Sequence, residues 1–162
     1  MLFRSRLEEN GLVVALEELA ANASELFKIN CRLVSEDPPA VVENAIALHL
    51  YYIVLEAVAN AAKHGAARDV VISLEPMGDR YVLKVRDDGS GFTPAANGQS
   101  GMGLRIMHYR ARVIAATLNL QSRPGFGTTV ACLFLPVSRE TSYHDDLSPG
   151  RDVGASEREA LN

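Results

Sequence analysis

The chain has 162 residues, 48% hydrophobic and 22% charged, with a formal net charge of -4. That length and apolar content suffice for one well-buried α/β or α+β domain and fall short of two. The acidic balance excludes the broad positive field that nonspecific nucleic-acid binding requires, so no nucleic-acid partner is expected.

The opening MLFRSRLEEN shows neither a helix cap nor a strand pattern and reads as a piece continued from a longer protein. In GLVVALEELAANASELFK, Val13, Leu16, Leu19, Ala20, Ala23, Leu26 and Phe27 stand at helical spacing, which predicts a helix over 11–28. A short strand follows over Asn30 to Val34, and Pro38 and Pro39 forbid a continuous helix beyond it. The period turns helical again from Val41 to Lys63, with Gly65 as the natural stop. Two strands, Val70 to Glu75 and Arg80 to Arg86, make a hairpin around Pro76 to Asp79. A loop rich in Gly, Asn and Ser runs from Gly89 to Gly101, an amphipathic helix from Gly103 to Ala116, and two last strands flank Pro124 to Gly127. From Ser138 onward, charges and turn formers predict a solvated, disordered tail over 138–162. The order predicts an α+β sandwich of two layers, with helices on one face of a mixed, mostly antiparallel sheet.

The longest apolar run, AIALHLYYIVLEAVANAA, is interrupted by His49, Glu56 and Asn60, so a soluble, cytoplasmic chain is expected. Cys31 and Cys132 lie in apolar strand-like stretches without CxxC or Cys/His spacing, as buried thiols of a reducing compartment do.

Several polar residues are not explained by this architecture. Glu56, Asn60, Lys63 and His64 stand at i, i+4, i+7 and i+8 on the central helix and share one stripe. A stripe of this kind is commonly the wet side of an amphipathic helix. Asn60 argues against that, because Asn among alanines gains nothing in a helix interior. Its amide oxygen is a suitable hard ligand for Mg²⁺. DDGSGF, Asp87 to Phe92, reads as a turn, yet a carboxylate at a strand's inner end can also accept from an exocyclic amine, and Gly89 and Gly91 let backbone approach a flat ligand. A calcium loop fails on spacing, because Gly98 and Gln99 stand where a bidentate Glu is needed. GMGL, Gly101 to Leu104, opens a helix and exposes N–H groups suited to phosphate, or is a plain flexible loop feeding a cap. It fits neither the dinucleotide fingerprint nor a P-loop.

EAVANAAKH, DDGSGF, GMGL and GFGTTV resemble, in order, the N-box, G1, G2 and final Gly-Thr motifs of the gyrase, heat-shock chaperone, histidine kinase and mismatch-repair ATPase superfamily. The joint pattern covers about residues 30 to 136, and KHG with the short lid is similar to sensor histidine kinases that partner LuxR-type response regulators. The resemblance implies the Bergerat ATP-binding fold over 30–137, with 1–29 as the linker end of a dimerisation domain. It implies ATP and Mg²⁺ as cofactors, Asp87 on the adenine amino group with Thr128 bridging by water, and Asn60 as metal ligand. Gly89, Gly91, Gly101, Met102, Gly103 and Leu104 would line the nucleotide, and Lys63 and His64 would add donors to phosphate. Glu56 would accept or orient the proton of an external imidazole. The implied partners are a phospho-acceptor histidine on a dimerisation domain and a response regulator, in a homodimeric and membrane-linked parent. None of His49, His64, His108 and His144 lies in an acidic acceptor-helix context. The alternative is a stand-alone anti-sigma factor and serine kinase of the same superfamily.

Overall fold

The apolar spacings resolve into helices α1 (Leu2–Phe27), α2 (Asn44–Lys63) and α3 (Met102–Val113), and strands β1 (Asn30–Ser35), β2 (Asp69–Met77), β3 (Arg80–Asp87), β4 (Thr117–Ser122) and β5 (Thr128–Phe134). The structure is a computed structural model and describes residues 2–93 and 101–137. Most of the predicted lid and the 138–162 tail lie outside the described residues. The strands form one sheet in the order β1-β2-β3-β5-β4. β1 pairs with β2 in parallel, and the other neighbours are antiparallel.

Period-two patterning sets the sheet's inner face: Val70, Ile72 and Leu74 are fully buried, while Val71, Ser73 and Glu75 between them are not. α2 lays a helical stripe on that face, with Ile46, Leu50, Ile53, Val54, Ala57, Val58 and Ala61 buried. Each large aliphatic side chain buried there contributes about 1.5–3 kcal/mol. Leu12, Leu16 and Leu19 of α1 and Met107 of α3 belong to the same core, so α1 packs with the domain. α2 is also apolar and long enough to cross a membrane by composition, yet its stripe is spent on this core.

Element boundaries move from the sequence reading for local reasons. α1 starts at Leu2 and breaks helical geometry at Gly11, where φ is 77°. α2 starts at Asn44, not Val41, because Glu43 is extended and its N–H donates to the Pro136 carbonyl at 2.8 Å. β2 continues through Pro76, which pairs with Tyr81, and the hairpin narrows to Gly78 and Asp79. α3 stops at Val113 because Ala115 turns to φ 51° and the Ala116 N–H closes back on the Ala111 carbonyl at 2.9 Å.

Candidate functional site

β3 ends by turning Asp87 inward, at the position two residues beyond Val85 that shares its face. The Asp87 side chain is the one buried charged group among the described residues, at 8% exposure. Its Oδ1 accepts from the Gly89 N–H at 2.8 Å and from the Thr128 N–H at 3.3 Å. Burial pushes the Asp87 carboxyl above its ordinary value, those two N–H groups pull it back in part, and the neighbouring Asp88 charge raises it further. Gly127 lies against the Asp87 carbonyl at φ 79°, where any side chain would strike that oxygen. The Thr128 hydroxyl pairs with Ser122 at 2.8 Å.

Asp88 is exposed at the turn and has a task of its own. Its Oδ1 accepts from the Arg68 and Asp69 N–H groups at 2.8 and 3.0 Å, tying the end of β3 to the start of β2. Those bonds hold the Asp88 carboxyl below its ordinary value. The adjacent acids therefore divide the work: one is buried at a cavity and the other fastens the turn. The Ser90 N–H donates to the Gly65 carbonyl at 2.7 Å, which docks the turn on the end of α2.

Above this turn a cavity of about 480 Å³ opens between α2, α3 and the sheet. Asp87, Asn60, Glu56 and His64 line it, with Thr128 and Gly91. Gly101, Met102, Gly103 and Leu104 line it from the start of α3. Glu56 and Asn60 are half-buried, one turn apart on α2. A side chain at Gly103 would run into the Glu56 carboxylate, so the bare glycine is what lets α3 begin beside α2.

Two predicted positions fall elsewhere. Gly89 is buried beneath the cavity and acts through its N–H on Asp87. Lys63 does not line the cavity; its ammonium lies 5.9 Å from the Phe27 ring centroid on the α1 side. No Lys or Arg is among the described lining residues, which include the carboxylates of Glu56 and Asp87. Sequence reasoning missed the apolar walls, Ala57, Ala61, Val85, Met107, Leu120 and Val130. The signal was available for Val85, two residues before Asp87 on one strand.

Among the described residues no group of three or more His, Cys, Asp or Glu could hold a metal. The Asn60 amide oxygen at the cavity is a neutral hard donor, compatible with Mg²⁺, which takes few protein ligands and keeps several waters. Apolar walls, a buried carboxylate and a glycine-opened helix start thus meet at one cavity. The chain belongs to the family of histidine kinase-, DNA gyrase B- and HSP90-like ATPases, whose model matches residues 45–139.

It is similar to the nitrate/nitrite sensor protein NarX of Escherichia coli, 33% identical over 144 residues, covering 89% of this chain and 24% of that protein. It is also similar to the sensor protein VraS of Staphylococcus aureus, 29% identical over 139 residues, covering 86% of this chain and 39% of that protein. The chain thus spans well under half the length of either relative. Among solved structures, the ATP binding domain of PrrB from Mycobacterium tuberculosis superposes with a TM-score of 0.61 at 22% identity, covering 76% of this chain and 92% of that one. The histidine kinase domain from the Erythrobacter litoralis EL346 blue-light activated histidine kinase gives a TM-score of 0.61 at 23% identity, covering 77% of this chain and 61% of that one. These two show a shared fold, the sandwich expected from the sequence. The homology to ATP-binding domains of sensor kinases does not favour the anti-sigma alternative.

Proposed function

We propose that this chain is the catalytic ATP-binding domain of a two-component sensor histidine kinase of the class paired with LuxR-type response regulators. The observation that carries the reading is the buried Asp87 carboxylate, fixed through Oδ1 at the floor of the cavity. Its Oδ2 is left to accept from the adenine amino group, with the Thr128 hydroxyl alongside through a water. The apolar walls sandwich the base, and the start of α3, with His64, holds phosphate oxygens. Mg²⁺ on the Asn60 amide would neutralise charge on the triphosphate, which the lining residues do not do with any Lys or Arg.

The acceptor is a histidine on a dimerisation domain, in a homodimeric, membrane-linked parent whose catalytic part is cytoplasmic; α1 would continue toward that domain. The imidazole nitrogen attacks the γ-phosphorus, the bond from phosphorus to the β-γ bridging oxygen breaks, and its electron pair leaves with ADP. Glu56, at the cavity beside the start of α3, takes or orients the proton on the imidazole's other nitrogen. A response regulator then receives the phosphoryl group.

The test is transfer from γ-labelled ATP. The chain alone should bind Mg-ATP and label little, and an added dimerisation domain carrying the acceptor histidine should gain acid-labile label. Stoichiometric label on this chain alone, or acid-stable label on a serine, would overturn the reading.

A further inference from the structure

His49, Tyr52, Glu56 and Asn60 stand at i, i+3, i+7 and i+11 on α2, so one stripe of that helix carries all four. The cavity uses the C-terminal half of the stripe, Glu56 and Asn60. The N-terminal half meets α3. There the Arg110 guanidinium lies over the Tyr52 ring, 4.4 Å from its centroid, and Arg110 Nη1 stands 3.5 Å from His49 Nδ1. Arginine only donates, so His49 Nδ1 is the acceptor and the ring carries its proton on Nε2. Burial first, and the Arg110 charge second, hold the His49 imidazole below its ordinary value, which keeps that acceptor free of a proton near neutral pH.

A cation in the last turn of α3 suits the negative end of the helix dipole, which accounts for the exposed Arg112. It does not account for Arg110, which is half-buried and turned onto a ring of the neighbouring helix. Little else holds α3 in place: of its 12 residues, Met107 and Ala111 are the buried ones. Two lateral contacts join it to α2. One is Gly103, where bare backbone admits the Glu56 carboxylate, and the other is Arg110. The seven residues between them span about 10 Å at 1.5 Å per residue, so a tilt of about 10° at the Arg110 end would move the first turn by about 2 Å. That first turn, Gly101 to Leu104, is the rim of the cavity.

We propose that Arg110 is a positioning residue: held by Tyr52 and His49, it sets the angle of α3 against α2 and so places the first turn of α3 at the cavity. Arg110 does not itself line the cavity. Its effect on a ligand rests on the proposed function, in which that turn holds phosphate oxygens; its effect on α3 does not. On that reading the base is held at the Asp87 end, so Arg110 matters to the triphosphate and not to adenosine.

The test compares Arg110→Ala, Tyr52→Leu and the double variant with the full chain. In the ligand-free protein, amides 105–108 of α3 should exchange with solvent about tenfold faster in each single variant, while those of Ile72 and Leu74 in β2 keep their rates. Titrations followed by amide shifts should show Mg-ATP bound about tenfold more weakly and adenosine within about twofold. The double variant should do no worse than either single one, as groups that act together do. Faster exchange confined to 110–113 would make Arg110 a local fastening of the helix end and overturn the proposal. So would equal losses of Mg-ATP and adenosine, which general loosening produces, or additive losses in the double variant. A parent chain that binds neither ligand strikes the kinase reading instead, and the exchange rates of α3 then decide the role of Arg110 by themselves.

Discussion

At its sheet end the cavity is held by backbone: Asp87 Oδ1 is pinned by the N–H of Gly89 in the turn after β3 and by the N–H of Thr128 at the start of β5, the strand paired with β3. At its helix end it is held by side chains, the half-buried Glu56 and Asn60 and the exposed His64, facing the first turn of α3. The first arrangement has one fixed acceptor and flat apolar walls, which suits recognition of a base by shape and one hydrogen bond. The second has a neutral amide, a carboxylate and no Lys or Arg among its described residues, so under the proposed function the charge balance for phosphate would come from the ligand's metal. On the proposed reading, the end held by backbone reads the base and the weakly charged end makes binding depend on the ion.

The sharpest way to break the rigid end is Gly127→Ala. A side chain there meets the Asp87 carbonyl at a backbone angle that L residues rarely adopt, so stability should fall by about 3 kcal/mol and nucleotide binding should go with it. Thermal unfolding with and without ATP checks both losses.

At the other end, Asn60→Asp adds a third carboxylate beside Glu56 and Asp87. Repulsion of a nearby phosphate is worth about 3 kcal/mol in a partly screened site, or roughly a hundredfold in Mg-ATP affinity. Stability should change by only about 0.5 kcal/mol, since Asn60 is outside the buried stripe of α2. Full affinity with lost stability, by calorimetry and melting, would make Asn60 a structural helix residue.

Asp88→Asn sharpens the division between the adjacent acids. Affinity for ATP should hold within about twofold, because the Asp88 bonds go to Arg68 and Asp69 outside the cavity. The folded state holds the Asp88 carboxyl below its ordinary value, so its contribution is present above the unfolded value near about 4 and is lost as pH falls through the lower folded value. The variant should therefore lose melting temperature at neutral pH and show a shallower acid limb. Exposure keeps this loss small.

The smallest effect is expected for Lys63→Ala, with ATP affinity again within about twofold, since that ammonium lies over Phe27 and away from the cavity. A large loss would place Lys63 on phosphate in the bound state.

The sheet end was more legible in the sequence than the helix end. Asp87 closes an alternating run and is followed by glycines, so strand period and turn chemistry both located it. Where Lys63 lies was not readable, because helical spacing assigns a stripe but not which neighbour meets its last turn; here its ammonium stands over the Phe27 ring of α1. The fastening role of Asp88 was not readable, because its partners, the Arg68 and Asp69 N–H groups, are backbone atoms with no sequence signature. Boundaries shifted for the same reason: the start of α2 depends on a bond from Glu43 to Pro136, across the domain.

The central claim is that Asp87 reads adenine, and calorimetric titration of ATP and of GTP, each with Mg²⁺, into the chain and its Asp87→Asn variant tests it directly. On this claim the Asp87 carboxylate would accept from the amino group of adenine, whereas guanine presents a carbonyl there. The chain should prefer ATP by about tenfold to a hundredfold, and the variant should lose that preference at a cost of about 1–3 kcal/mol in ATP binding. Because burial raises the Asp87 carboxyl, its ionised form opposes folding at neutral pH, so the variant should melt no lower than the parent. Equal affinity of the parent chain for ATP and GTP, or an unchanged ATP preference in the variant, would contradict the account.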